Sequence, residues 1–355
     1  MLDKKLLTTV VGSVARPKFF REMVDKQLAE GGSDAELMEL MDRSIPYVAA
    51  LQEAAGLDVI SDGEWRRKSY VGVIAEMLTN VDQYRIRLDS FRHEARVGYS
   101  VVGKVEPTRE GLFAEEATRL REHTNLEVRV ALPTPHLTAN FLWDEERSKE
   151  FYPTERDFIE AVQPIIRREV KLLRDAGVKY VQFDDTQIGG RGGEDPESDY
   201  YRDELMYSVD TLNSVVDGID GIYSSLHLCG KRAIGPDKTL RYDTMLPGLR
   251  ELHIDMPMFE LREFDDYDVA LLKGLPDRFD VGCGCVSSKT HHVDTVDEIS
   301  ARIRNVVDIV DPSRVAVHPD CGFSPGTYYE IPLDEIYEKL SNMVQAADLV
   351  RAERS

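Results

Sequence analysis

The stretch 221-GIYSSLHLCGKR-232 ends a short apolar run in His227 and Cys229, two residues apart and just ahead of a glycine. Alternate residues of a strand share a face, so an imidazole and a thiol would project together where the strand stops. Imidazole and thiolate are donors that zinc favours, and a catalytic zinc needs rigidly spaced ligands with one exchangeable position. A second run, 317-VHPDCGF-323, delivers Cys321, with Pro319 stiffening the approach and Gly322 permitting a sharp exit. A third, 255-DMPMFELREFDD-266, sets Glu260 between Phe259 and Leu261. A carboxylate in such apolar surroundings is costly unless a cation or a proton neutralises it. These residues form a candidate metal set. Each taken singly is more often a packed or hydrogen-bonded side chain than a ligand, and only their joint placement at the ends of different strands favours a site.

The elements that must position them follow one repeating pattern: an amphipathic helix, a Gly or Pro stop, a β-branched strand, then a polar cluster. Residues 35–56 read as a helix with a proline kink and a glycine stop, followed by a strand running into Asp62, Gly63 and Glu64. Helix 157–177 precedes a strand delivering Asp184 and Asp185, helix 203–221 precedes the His227 strand, and helix 296–314 precedes the Cys321 strand. Alternating strands and helices imply a parallel sheet buried on both faces. Strands from opposite ends of the chain all finish in reactive side chains, and a closed barrel gathers such ends at one mouth. The reading is therefore α/β, a (β/α)8 TIM barrel. Alternating apolar and polar residues over 83–111 predict an inserted β-hairpin, and residues 1–355 are otherwise taken as one domain. The glycine-rich 188-IGGRGGED-195 does not obviously open a helix and reads as a loop near the mouth.

The chain has 355 residues, with 44 Lys plus Arg against 65 Asp plus Glu, a net charge of −21. That balance argues against a nucleic-acid partner. No segment reads as a signal peptide or a membrane span, so a cytoplasmic protein is expected. The four cysteines, 229, 283, 285 and 321, cluster late in the chain, which in a reducing compartment favours metal or thiol chemistry over disulfides. Cys283 and Cys285 are read as small residues packing a strand, with an auxiliary metal or redox site as the other possibility.

With these pieces in place the sequence resembles the catalytic C-terminal domain of cobalamin-independent methionine synthase, including its short archaeal-type forms. The matching stretches are 8-TTVVGSVARP-17, 58-DVISDGE-64, 127-EVRVALPTPHLTANF-141, 181-VQFDD-185, 226-LHLCG-230, 259-FE-260, 293-VDTVDEI-299, 318-HPDCGF-323 and 342-NMVQAA-347, in order along nearly the whole chain. The resemblance implies a Zn2+ site at a barrel mouth carried by His227, Cys229, Glu260 and Cys321, where a thiol binds as thiolate and attacks a methyl group. It implies that Ser13, Glu64 and Asp184 hold the amino-acid part of homocysteine: two carboxylates for the ammonium, and Ser13 for the carboxylate. The competing reading of Glu64 and Asp184 is pairing with 66-RRK-68 or with helix termini. The family's proton-handling loop histidine aligns with Lys289, with His291 and His292 just beyond. Full-length members carry a second, N-terminal barrel; a short form is expected to take methyl from a methyl-folate, a methyl-corrinoid protein or another methylated small molecule. Two other readings stand beside methyl transfer. One is an epoxyalkane coenzyme M transferase-like alkylation, for which Trp65–Lys68 would offer a basic anion site; the other is a non-catalytic zinc-binding partner protein.

Overall fold

A computed structural model describes residues 4–29, 34–86, 96–185, 188, 197–228, 241–323 and 331–354. Cys229 and nearly all of 188–195 lie outside the described residues. The strands are β1 (Leu7–Thr8), β2 (Val59–Ile60), β3 (Val81–Ile86), β4 (Arg96–Val101), β5 (Glu127–Pro133), β6 (Tyr180–Asp185), β7 (Tyr223–Leu228), β8 (Met256–Glu260), β9 (Val281–Val286) and β10 (Val315–Pro319). Eight of them form one parallel sheet in the order β1-β10-β9-β8-β7-β6-β5-β2. A parallel bridge between Thr9 and Val59 joins its two edges, so the sheet closes on itself with helices between successive strands. This is the TIM barrel expected. The inserted hairpin is also present, but earlier than the expected 83–111: β3 and β4 pair antiparallel from Val81 opposite Val101 to Ile86 opposite Arg96, and 102–111 form no strand.

The inside of the barrel follows from the two-residue period of a strand. Leu7, Val59, Tyr180, Tyr223, Met256, Met258 and Ala316 come from six strands and pack together with Val11, just past β1, which side chains of non-adjacent strands can do only across the lumen. Two residues further along, the same faces present Gln182 and then Asp184 on β6, Ser225 and then His227 on β7, and Glu260 on β8. The lumen is thus reactive above and largely apolar below, with Arg129 of β5, in register with Tyr180, as a buried exception. On β9 the inward positions are Gly282 and Gly284. A Cβ on Gly282 would meet His318 Nε2 at 2.6 Å, and one on Gly284 the Phe259 carbonyl at 2.5 Å. Alternation turns Cys283 and Cys285 outward into the large core between barrel and helices, where both are fully buried. That is the packing reading; burial also holds the Cys285 thiol well above its ordinary pKa.

Helix boundaries differ from expectation where polar caps intervene. The segment 35–56 is two helices, Asp34–Asp42 and Ile45–Ala55, because Pro46 opens a new helix instead of kinking one. Gly56 ends the second in a left-handed conformation, φ 88°. By contrast Pro164 is carried inside the helix Glu155–Asp175, which opens with a capping box between Thr154 and Asp157. No helix among the described residues is long and apolar enough to cross a membrane.

Candidate active site at the barrel mouth

The ends of β6, β7 and β8 place three of the expected groups side by side. Asp184 is in register with His227, and His227 with Met258, two residues before Glu260. All three side chains are buried. Tyr242 ties the last two strands together at this level, its hydroxyl donating to the Leu228 carbonyl at 2.9 Å and accepting from the Glu260 amide at 3.3 Å. Cys321 follows β10. Its predecessor Asp320 takes the Ser288 amide and hydroxyl at 2.8 and 2.7 Å, which fixes the loop after β9 against the loop after β10.

Both ring nitrogens of His227 are buried and meet no oxygen or nitrogen partner among the described residues; the group within hydrogen-bond reach of the ring is the Cys321 sulfur. Burial opposes a charge on this imidazole, yet the adjacent Cys321 sulfur and the Asp184 carboxylate outweigh it and raise its pKa, with Lys289 opposing. A buried imidazole whose neighbour is a weakly hydrogen-bonding sulfur is poorly compensated unless another group completes it. A nitrogen, a sulfur and a carboxylate at the ends of β7, β10 and β8 are a mixed donor set of the chemistry zinc takes, but their ligand atoms are not gathered as a cluster: among the described residues the group whose ligand atoms all lie within 4.8 Å of one another is His292, Asp294 and Glu298. In donor type the residues present therefore fit the implied ion. Glu260 is already engaged on one oxygen: Lys289 Nζ donates to its Oε2 at 2.9 Å. Among the three candidates of that loop, Lys289 alone reaches the group. His291 pairs instead with Glu335 at 3.0 Å, and His292 lies exposed near Asp294 and Glu298. The last three could together surround a cation, but Asp294 already accepts from Arg302 and Glu298 caps its own helix.

Ser13, Glu64 and Asp184 border the same mouth. A Cβ on Gly322 would fall 2.2 Å from Ser13 Oγ, and the Phe323 amide donates to the Ser13 carbonyl at 2.9 Å, so Ser13 abuts the Cys321 loop. A Cβ on Gly12 would meet Glu64 Oε1 at 2.8 Å. Glu64 sits in the left-handed region, φ 60°, directly after Gly63 at 65°. Such a backbone costs a glutamate about 1 kcal/mol or more, and surrounding contacts must impose it. They do: the Glu64 amide donates to Asp62 Oδ1 at 2.8 Å, and Arg16 donates to the carbonyls of Glu64 and Trp65.

The pairing alternative for Glu64 is realised in part. Arg67, buried, donates to Glu64 Oε1 at 3.1 Å while gripping Glu116 with two nitrogens at 2.9 and 2.7 Å. Burial nevertheless dominates over Arg67, and with Asp184, Asp62 and Glu116 nearby the Glu64 carboxyl is pushed up to about 7. Burial likewise raises Asp184, against His227, Gln182, Arg67 and Tyr70. The expected basic turn at 66–68 is not an open anion site. Arg66 bonds Asp42 and Glu115, Arg67 bonds Glu116 and Glu64, and Lys68 pairs with Glu76 at 3.2 Å.

Sequence reasoning missed Tyr70, Tyr242 and Gln182. Tyr70 opens a helix capped by Ser69 and donates to Asp184 Oδ2 at 3.3 Å. Gln182 was legible from spacing alone, since it lies two residues before Asp184 on the same strand and donates to its Oδ1 at 2.7 Å.

Comparison with known proteins places these features in a family. The model of the cobalamin-independent synthase catalytic domain matches residues 6–349. The chain is similar to the methionine synthase of Sulfolobus acidocaldarius, 26% identical over 351 residues that cover 98% of this chain and 93% of that one. It is 27% identical to that of Sulfurisphaera tokodaii over 354 residues, with the same coverage. Among solved structures it resembles a B12-independent methionine synthase from Shewanella sp. W3-18-1 in complex with selenomethionine, with TM-score 0.78, 21% identity and 99% of each chain covered. The protein described here belongs to the cobalamin-independent synthase catalytic-domain family.

Proposed function

We propose that this protein is a zinc-dependent thiol methyltransferase that converts homocysteine to methionine, acting in the cytoplasm on small molecules. The observation that carries the reading is the buried imidazole of His227 against the Cys321 sulfur, with Glu260 at the end of the next strand, at the same mouth as the carboxylates Glu64 and Asp184. His227, Glu260 and Cys321 would hold the ion, with Cys229 as the fourth ligand. Zinc bound there supplies a Lewis acid that keeps a thiol deprotonated at neutral pH. Glu64 and Asp184 take the substrate ammonium, and the Ser13 hydroxyl donates to its carboxylate. Together these contacts aim the sulfur outward along one line, as displacement at a methyl carbon requires. Lys289 holds one oxygen of Glu260, and that bond supports Lys289, over His291 and His292, as the group handling a proton there. The methyl donor is a methyl-folate or a methyl-corrinoid protein.

The curated relatives called methionine synthase support homocysteine as the thiol. Coenzyme M would need a cation for its sulfonate, and the basic run after Glu64 is already bonded to carboxylates. Isothermal titration of the zinc-loaded protein with homocysteine and with coenzyme M decides between them. Homocysteine should bind with release of about one proton near neutral pH. Binding of coenzyme M alone, or of neither thiol, would defeat the proposal.

A further inference from the structure

Inside the barrel, below the reactive layer, lies a charge that the mouth does not use directly. Arg129 projects from β5 into the lumen and is 2% exposed. Its Nη1 reaches across to Met258 Sδ on β8 at 3.1 Å, a contact between strands separated by β6 and β7. The same Nη1 donates to Gln182 Oε1 at 3.0 Å. Its Nε and Nη2 are buried and find no acceptor among the described residues. Burial draws the guanidinium down to about 10, so it remains a cation at neutral pH.

TIM-barrel lumens are usually filled by branched apolar residues, and an apolar side chain here would cost less than a buried charge with unsatisfied N–H groups. Features that break a local rule of stability concentrate where function needs them. What Arg129 accomplishes is visible in Gln182, its nitrogen- or oxygen-bearing side-chain partner among the described residues. A guanidinium can only donate and an ionised carboxylate can only accept, so Gln182, fully buried between Arg129 and Asp184, has one permitted orientation. Its oxygen faces the cation, and its NH2 faces Asp184 Oδ1. That leaves Asp184 Oδ2, touched by Tyr70, as the oxygen available to a ligand at the mouth.

We propose that Arg129 is a positioning residue for ammonium recognition: acting through Gln182, it locks Asp184 so that a fixed carboxylate oxygen meets the substrate's amino group. The inference rests on the reading of Asp184 given above, and adds to it a control element one layer deeper in the barrel. The link is all hydrogen bonds, so it transmits orientation and polarisation without moving a proton.

The test uses Arg129→Met and Arg129→Lys in the zinc-loaded 355-residue chain. Arg129→Met should fold with an unfolding temperature no lower than wild type, since it removes a poorly compensated buried charge. Its affinity for homocysteine should fall about 10-fold, the usual scale for losing an outer-layer partner. Affinity for 4-sulfanylbutanoate, which lacks the ammonium, should stay within about 2-fold of wild type, as the affected contact is absent from that ligand. Arg129→Lys keeps a donor for Gln182 and should recover most of the loss. Equal weakening of both thiols, or of neither, overturns the proposal. Should Arg129→Met not fold, Gln182→Leu cuts the same link while leaving Arg129 in place, and the same pattern is expected. Crystal structures of wild type and Arg129→Met without thiol provide a readout independent of the substrate: Asp184 should leave its Gln182-bonded rotamer in the variant, and an unmoved Asp184 refutes the role of Arg129. Failure of wild type to bind homocysteine would count against the substrate reading, while the crystallographic comparison still decides for or against Arg129.

Discussion

Replacing Glu64 with glutamine should make the metal-free protein more stable above pH 7 and leave it nearly unchanged near pH 4.5. Folding buries this carboxyl against Asp184, Asp62 and Glu116, with Arg67 as the opposing charge, and lifts it from 4.5 to about 7. The folded chain therefore holds a proton that the unfolded chain releases between those two values. Over that window the folded state loses stability as pH rises, by about 3 kcal/mol in total at 1.36 kcal/mol per pKa unit. Solvent screening does not reduce the figure, because Glu64 is 4% exposed. Glutamine removes the titration, and Arg67 keeps both bonds to Glu116 and one to the Ala131 carbonyl. Urea unfolding of both proteins at intervals from pH 5 to 8 measures the difference directly. It should grow with pH, and the glutamine variant should at the same time lose about 10- to 100-fold in homocysteine affinity, as expected when a charged partner of an ammonium is removed. A stability difference that stays flat from pH 5 to 8 would refute the assignment of a buried, proton-holding Glu64.

Three further outcomes are expected. Protein purified without chelator should carry about one zinc per chain by elemental analysis, and His227→Ala or Cys321→Ser should lower that content at least about 10-fold. Lys289→Met leaves Glu260 buried without its ammonium, so the metal-free variant should lose about 1–2 kcal/mol in thermal or urea unfolding, discounted for the partial exposure of Lys289, and zinc should restore the loss. Gly322→Ala forces a methyl to within 2.2 Å of Ser13 Oγ and 2.9 Å of the Val11 carbonyl; stability should fall by about 1–3 kcal/mol, and titration should show homocysteine binding at least about 10-fold weaker.

The parts of the fold legible in the sequence were those governed by short-range periodicity. β6, β7 and β10 were readable because apolar runs ended in acid, histidine or cysteine, and the helices before them because their polar faces repeat. The split at Ser44 was not, since Pro46 is compatible with kinking a helix or starting one, and the packing of Ile45 and Val48 into the core settles which. The metal candidates could be chosen because i and i+2 share a strand face. The fate of 66-RRK-68 could not, because its partners Asp42, Glu115 and Glu116 are distant in sequence and meet it only once the helices pack. Tyr242 was invisible for the same reason: its role depends on two strand ends that only the closed barrel brings within reach of one hydroxyl.

The barrel closes where its two shortest strands meet. β1 and β2 are two residues each, joined by the Thr9–Val59 bridge and by Asp58, whose carboxylate takes the Thr8 amide and hydroxyl. Ser13 follows one margin of this seam and Glu64 the other. A ligand gripped by both would act as a clasp, so that occupancy slows amide exchange in Leu7–Thr9 and Asp58–Ile60, and the least reinforced line in the wall becomes the one most sensitive to whether the mouth is filled.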